Sequence, residues 1–511
     1  MSTQRPRLQT LSRLGMLALS LSIAATGCKK GKETTPPEPL PVADTAPTEP
    51  VATAPSRSYP EPPAPGEPKP VNFPEIDSFT LSNGLTVYLV ESRGIPLVSA
   101  QLVVRAGTMD DEYVAEFTSA MLGEGTKTRS KAKIDEAIEF VGGQLGAGAG
   151  THVSYVTSRV LAKDLRLGLT LMADQVMSPT FPSDALAKLK EQTKAALKMA
   201  KSQPSELASN LFDQIAYPAE HPYGRPLPSD ERIDQITVEN VRRFHETFYR
   251  ANNAFLVLSG DISRQEVEPL IKRAFGNWKT AKEGDLPPNP LNRFSQYQLP
   301  EELVVHLVDR PSSAQSEIIV GNLALARNHE DYPKLKIANS ILGDDASGRL
   351  FRDIREDRGL TYGIYSSISD GQAPGTFTIR TRTRTNTTGE MLGAIFEHIA
   401  RMRNEAPSAD EVTAATNKAI GAFPLQIETS GDIASKVREL LIYNLPNDYW
   451  RNYRDELAAV TPEAVHEAAR KYIHPIPHVV IVGKASKVEK DIKKVFPTAK
   501  IKKYDEQLEP L

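Results

Sequence analysis

One cysteine in 511 residues excludes an intramolecular disulfide framework and any zinc centre built from several thiolates at short spacing. A dominant charge is missing too: 61 Lys and Arg against 64 Asp and Glu leave a formal charge of −3, so no strong field points to nucleic acid as a partner. None of the nine histidines falls in HExxH or HxxEH, the patterns that set two imidazoles on one helical face around a metal. His474 and His478 come nearest, but the prolines of His474-Pro475-Ile476-Pro477-His478 forbid a helix, and the stretch reads as a loop entering a strand. His221, in His221-Pro222-Tyr223-Gly224, reads as a turn. There is no GxxxxGK(S/T) phosphate loop and no GxSxG nucleophile elbow, and the glycines from Gly142 to Gly150 read as a flexible loop. Motif by motif, the chain declares no catalytic centre of its own.

Long apolar runs are lacking as well. The longest, Leu14 to Ala25, falls short of the ~20 residues of a membrane-spanning helix and follows Arg5, Arg7 and Arg13, so it reads as a signal peptide. It ends in Ala25-Thr26-Gly27-Cys28, which resembles a bacterial lipobox, where cleavage before the cysteine leaves its thiol free to carry a diacylglycerol. The only cysteine thus lies where lipidation needs it. Ala25 stands where Leu is commoner, which keeps an ordinary secretory cleavage site as the alternative. Several acyl chains, at about 0.8 kcal/mol per buried CH₂, anchor stably where one is marginal. Lys29 in place of Asp favours the outer membrane, so the expected location is the periplasmic side of a bacterial envelope, lipid-anchored. From Gly31 to Pro70 the chain carries 13 prolines in 40 residues with almost nothing apolar between them. Such a segment cannot pack; it samples polyproline II and serves as a semi-rigid tether, or alternatively as a ligand for a proline-binding module.

What remains is ordinary soluble composition, 40% hydrophobic and 24% charged, able to bury real cores. Phe79 to Ser82 and Leu85 to Val90 flank Asn83-Gly84, the preferred two-residue hairpin turn, and Val98, Ala100, Leu102 and Val104 alternate like a half-buried strand. Helical spacing follows at Ile134, Ala137, Ile138 and Val141 and at Leu165, Leu169, Met172 and Val176, with strand-like Thr151 to Leu161 between them. An internal match carries more weight. Ile236-Thr237-Val238-Glu239-Asn240-Val241 pairs with Val460-Thr461-Pro462-Glu463-Ala464-Val465, and Phe255 to Gly260 pairs with Val479 to Gly483, each strand followed by an amphipathic helix. A duplication of this period predicts two similar α+β domains, with Pro287, Pro288 and Pro290 marking the linker between them.

One stretch is more specific. Ile341-Leu342-Gly343 followed by Ser347-Gly348-Arg349-Leu350-Phe351-Arg352-Asp353-Ile354-Arg355-Glu356-Asp357-Arg358-Gly359-Leu360-Thr361-Tyr362 resembles the C-terminal-domain signature of the pitrilysin/insulinase family of zinc metallopeptidases. Met121-Leu122-Gly123-Glu124-Gly125-Thr126-Lys127-Thr128-Arg129-Ser130 resembles the segment after that family's zinc helix, and Glu220-His221-Pro222-Tyr223-Gly224 adds to the match. Without the family, Arg355 to Tyr362 reads as a charged helix end stopped by Gly359. The resemblance implies two homologous domains, each a mainly antiparallel sheet with packed helices: residues 1–27 leader, 28–72 tether, 73–282 first domain, 283–300 linker, 301–497 second domain and 498–511 tail.

The same resemblance locates what is degenerate. Active members carry HxxEH on a first-domain helix, two histidines for zinc and a glutamate as general base, with a further acidic ligand on a later helix. The matching positions here are Glu116, Ser119 and Ala120, and Ala196 stands where the later acid belongs, with Glu191 more than a turn away. A carboxylate at Glu116 can touch a metal, but the methyl of Ala120 has no lone pair and Ser119 is a poor base. The expectation is that this chain binds no metal or other cofactor, and that Glu116 is a solvated or hydrogen-bonded helix residue. Arg355 and Tyr362, seven apart, are intact. In the family such a pair lines the cavity opposite the zinc, Tyr donating to the developing oxyanion and Arg holding substrate backbone or carboxylate. Because some members work as two different chains, the resemblance implies a non-catalytic, lipid-anchored subunit of a heterodimeric zinc peptidase, with zinc and HxxEH on the partner and peptides as substrates. The alternative is a stand-alone pseudopeptidase lipoprotein that binds peptides or scaffolds envelope proteins without hydrolysis.

Overall fold

The computed structural model describes residues 71–111 and 113–511, so the expected leader, the lipidation residue Cys28 and nearly all of the tether lie outside the described residues. The first half opens with β1 (Asp77–Thr80), β2 (Thr86–Glu91) and β3 (Leu97–Val104), then α1 (Val114–Met121), α2 (Lys131–Phe140), β4 (Gln144–Ala149) and β5 (Ser154–Leu161). It continues through α3 (Leu165–Met177), α4 (Ser183–Lys201), α5 (Pro204–Ala216), α6 (Asp230–Asp234) and α7 (Val238–Phe248) to β6 (Ala254–Gly260) and α8 (Arg264–Phe275). The six strands lie in the order β1-β2-β6-β3-β5-β4, antiparallel throughout except for β2 beside β6. Local chemistry explains the helix starts: Thr237 with Asn240 and Ser263 with Glu266 form reciprocal capping boxes that satisfy the free amides of α7 and α8.

The second half repeats this plan with β7 (Val304–Asp309), β8 (Gln315–Leu323), α9 (Tyr332–Leu342), a widened π-helical turn at Phe351–Asp357, β9 (Ile364–Ile368) and β10 (Thr376–Arg384). There follow α10 (Thr388–Asn404), α11 (Ala409–Ala422), α12 (Ser430–Tyr443), α13 (Tyr449–Ala458), α14 (Pro462–Tyr472), β11 (His478–Gly483), α15 (Ala485–Val495) and β12 (Lys500–Tyr504). Strand order β12-β7-β11-β8-β10-β9 mirrors the first sheet position by position. The internal sequence match falls on α7-β6-α8 and α14-β11-α15. The one departure is the outer edge strand: the first sheet takes β1 from the start of its own half, the second takes β12 from the chain's end, parallel to β7. Residues after 497, expected as a tail, therefore complete a sheet. Lys500, Lys502 and Lys503 hid this strand, since an edge strand blunted with lysine shows little apolar alternation.

The halves interlock through exchanged helices. α5 leaves the first half and lays Leu207, Leu211 and Phe212 on the second sheet against Val308, Ile319 and Val480. Reciprocally, α12 places Ile433, Ala434 and Val437 in one cluster with Val90, Val103 and Phe255 of the first sheet. This corrects the reading of β3 as half-buried. Nearly every residue of β3 is buried, because α12 covers the face that alternation assigned to solvent, and there Gln101 donates from Nε2 to Ser435 Oγ at 3.2 Å. The loop reading of Gly142 to Gly150 is corrected likewise: residues 144–149 within it form edge strand β4 paired with β5, and a side chain at Gly148 would press on the Tyr155 ring, 2.7 Å from its hydroxyl. The Asn83-Gly84 turn is longer than the two-residue type. Leu81 N–H bonds Leu85 O at 2.9 Å around a three-residue loop with only Gly84 left-handed, φ 87°, while Asn83 Nδ2 donates to Phe275 O at 2.8 Å at the end of α8.

Candidate functional site

α1 carries three of the four degenerate positions, and α4, which carries the fourth, packs beside it. Ser119 is buried and its hydroxyl is committed, donating to Ala115 O at 2.9 Å and sharing a 3.3 Å hydrogen bond with the Tyr249 hydroxyl. Ala120 is exposed and Ala196 half-buried, each ending in a methyl. Glu191 points to solvent, 75% exposed, paired with Lys194 at 3.1 Å. Glu116 is half-buried and makes no hydrogen bond within the described residues, and desolvation pushes its carboxyl up to about 7. The cause is packing of α1 against α4, α7, β4 and β5, which removes water without supplying a donor. These residues do not fit a zinc ion, because between them they offer one carboxylate, a hydroxyl already in use and two methyls. Among the described residues, no group of three His, Cys, Asp or Glu side chains is placed to hold a metal.

The second candidate pair sits where the second half departs from the first. The π-helical turn takes the place of α2, with Arg358 N–H reaching back five residues to Asp353 O at 2.8 Å and Leu360 N–H to Ile354 O at 3.0 Å. Gly359, at φ 62°, ends it in the left-handed conformation, so the turn stops where the bare sequence indicated. Arg355 then folds back over the loop: its Nε donates to the Tyr362 carbonyl at 3.2 Å, and its guanidinium lies 4.8 Å from the Phe351 ring centre and 5.6 Å from that of Tyr362. Both residues expected to act together are brought together. Tyr362 projects its ring outward, 91% exposed, with its hydroxyl free of any hydrogen bond among the described residues. Neither side chain bonds or stacks with a residue of α1 or α4.

The His221-Pro222-Tyr223-Gly224 turn does more than its sequence suggested. His221 is buried, stacks on Tyr217 with ring centres 4.8 Å apart, accepts the Tyr223 N–H at Nδ1 and bonds the Tyr297 hydroxyl through Nε2. Desolvation lowers its imidazole to about 4, so it is neutral. Tyr223 reaches across to the second half, its hydroxyl accepting the Gln372 and Ala373 N–H groups at 3.1 and 3.3 Å and bonding His152 at 3.2 Å. The motif is a clamp between the halves. A second buried group, Arg327 bonded to Glu439 at 2.8 Å and to the Tyr449 hydroxyl at 3.1 Å, went unseen because its members are scattered over more than a hundred positions.

Comparison with known proteins agrees with this architecture. A family model described as Insulinase (Peptidase family M16) matches residues 86–230, and one described as Peptidase M16 inactive domain matches residues 235–419. An uncharacterized zinc protease of Bacillus subtilis is 24% identical over 78% of this chain and 95% of its own length. A zinc protease of Streptomyces coelicolor is 23% identical over 79% of this chain and 88% of its own. Among solved structures, a peptidase M16 inactive domain from Pseudomonas fluorescens is 28% identical, with a TM-score of 0.70 over 80% of this chain and 98% of that one. The periplasmic protease PqqL of Escherichia coli shares the fold at TM-score 0.68 and 16% identity, over 81% of this chain and 46% of that one.

Proposed function

This chain belongs to the peptidase M16 (insulinase/pitrilysin) family, and on that premise we propose that it is the non-catalytic subunit of a two-chain zinc peptidase. Lipid-anchored through Cys28 on the periplasmic side of the envelope, with the outer membrane favoured, it holds its folded halves off the bilayer on the proline-rich tether. The partner supplies HxxEH and with it the zinc and the general base for attack on the peptide carbonyl. This chain supplies Tyr362 and Arg355. The Tyr362 hydroxyl donates to the oxygen that gains charge as the scissile carbonyl becomes tetrahedral, and Arg355 fixes the loop by donating from Nε to the Tyr362 carbonyl, leaving only a long 3.9 Å contact to Glu356 to compete with peptide backbone for its Nη1. The observation that carries this reading is the outward Tyr362 ring, 91% exposed on a loop pinned from behind. An aromatic residue so placed buries little of its ring, and its hydroxyl is set for a group from outside the chain.

The test is reconstitution with a co-purified HxxEH-bearing partner. Tyr362→Phe is expected to lower turnover by on the order of 10- to 1000-fold with subunit association unchanged. Turnover equal to that of the unaltered pair refutes the shared site. Purification of the lipidated chain alone, with peptide binding and no hydrolysis, moves the assignment to a peptide-binding envelope lipoprotein.

A further inference from the structure

Beside Tyr362 opens a cleft of about 490 Å³, bounded by Gly359 to Gly363, by Gln315 of β8 and by Arg382 to Arg384 of β10. Strand alternation puts Arg382 and Arg384 on one face of the sheet, and the register sets Glu317 opposite Arg382 and Gln315 opposite Arg384. The two arginines are therefore not equivalent. Glu317 accepts from Arg382 Nε at 2.8 Å, which fixes that guanidinium and offsets its charge. Arg384 is exposed, faces a neutral amide across the strands, and has no carboxylate partner among the described residues. The loop bearing Tyr362 is tied to this strand from both sides: Thr361 Oγ1 donates to Arg382 O and Thr383 Oγ1 to Leu360 O, each at 2.7 Å. Tyr362 and the arginines thus form one rigid concave surface. Arg355 does not line the cleft, and its Nη1 lies 3.9 Å from Glu356. Of the two guanidinium charges lining the cleft, Glu317 offsets that of Arg382, and the remaining positive charge sits at Arg384.

We propose that this cleft binds a carboxylate of the peptide held at Tyr362, Arg384 receiving it through its planar fork, so that peptides presenting a carboxylate at this point are the preferred substrates. The inference rests on the shared-site reading for its substrate but not for its measurement, because the cleft is formed by this chain alone. A guanidinium pairs a carboxylate in two parallel hydrogen bonds and discriminates it from the isosteric amide, which offers one acceptor and no charge. The carboxylate has two possible sources, an acidic side chain or a free peptide C-terminus, and the two share this chemistry.

The experiment is fluorescence anisotropy on the full-length chain with three labelled decapeptides of otherwise equal sequence. One carries a central glutamate and an amidated C-terminus, one a glutamine there and an amidated C-terminus, and one the glutamine and a free C-terminus. At least one carboxylate-bearing peptide is expected to bind about 5- to 20-fold tighter than the neutral one, and the arm that does so identifies the source. Arg384→Gln is expected to abolish the preference and Arg384→Lys to restore part of it, with the circular dichroism spectrum unchanged. Equal affinity for all three peptides, absence of binding to any, or a preference that survives Arg384→Gln overturns the proposal. The shared-site reading stands or falls separately on turnover of the Tyr362→Phe pair.

Discussion

Glu116, which the family resemblance matches to a zinc-binding position, is a liability to the fold once ionised. A carboxyl whose folded pKa is about 7 against an ordinary 4.5 is favoured neutral in the native state. Its contribution to stability is therefore fully present below about pH 4.5 and is lost as the pH rises through 7, as the ionised form pays for its burial. Glu116→Gln keeps the volume and removes the titration. The variant is expected to match the parent at pH 4.5 and to exceed it by on the order of 1–2 kcal/mol at pH 8, discounting for partial exposure, in urea unfolding followed across that range. A variant that lost stability at pH 8 would mean that the carboxylate has a partner. The family resemblance marked Glu116, Ser119, Ala120 and Ala196 as degenerate zinc positions and singled out Arg355 and Tyr362. It did not show that Glu116 is largely desolvated, which depends on the four other elements that lie against α1. Arg382 and Arg384 were silent for the same reason: alternation puts them on one face, but only the 359–363 loop closing over that face makes a cleft.

At the scale of elements, strong local periodicity was legible and shared surfaces were not. α3, α7, α8, α14 and α15 fall where apolar spacing and the internal match put them, because each packs against its own half. β3 misled because its second face is covered by a helix 330 residues away along the chain, and no window of sequence contains both. The matched strand ends Gly260 and Gly483 show how a repeat diverges under one motif. Gly260 has φ 144°, and a Cβ there would lie 2.1 Å from Leu97 O, a backbone atom with nowhere to go. A Cβ at Gly483 would meet Ser316 Oγ at 3.0 Å and Val488 Cγ2 at 3.3 Å, side-chain atoms that can yield. Gly260→Ala is accordingly expected to cost about 3 kcal/mol or more and Gly483→Ala about 1 kcal/mol, compared by urea midpoint at constant slope. Equal costs would mean that β3 yields as easily as a side chain.

For the whole molecule the consequence of the exchange between α5 and α12 is cooperativity. Leu207, Leu211 and Phe212 are almost fully buried on the other half's sheet, and burying a side chain of that size stabilises by about 1.5–3 kcal/mol. Removing either half strips several such contacts at once, a loss comparable to the ~5–15 kcal/mol that separates a typical folded domain from its unfolded chain. The halves are therefore expected to unfold together. The chain carries its own reporters, because its two tryptophans are divided between the halves: Trp278, 5% exposed, donates its indole N–H to Tyr249 O in the first, and Trp450, 3% exposed, donates to Lys436 O in the second. In Trp278→Phe and Trp450→Phe variants, each left with one indole, the fluorescence midpoint in urea is expected to coincide with that of the backbone dichroism of the same variant. A fluorescence transition at lower urea in one variant would show that its half opens first, and that the crossed helices and the Tyr223 clamp contribute less than their burial implies. Coincidence has a bearing on the site as well: a loop that rides on one cooperative body presents Tyr362 and Arg384 at a fixed spacing to whatever docks there, without ordering to be completed on binding.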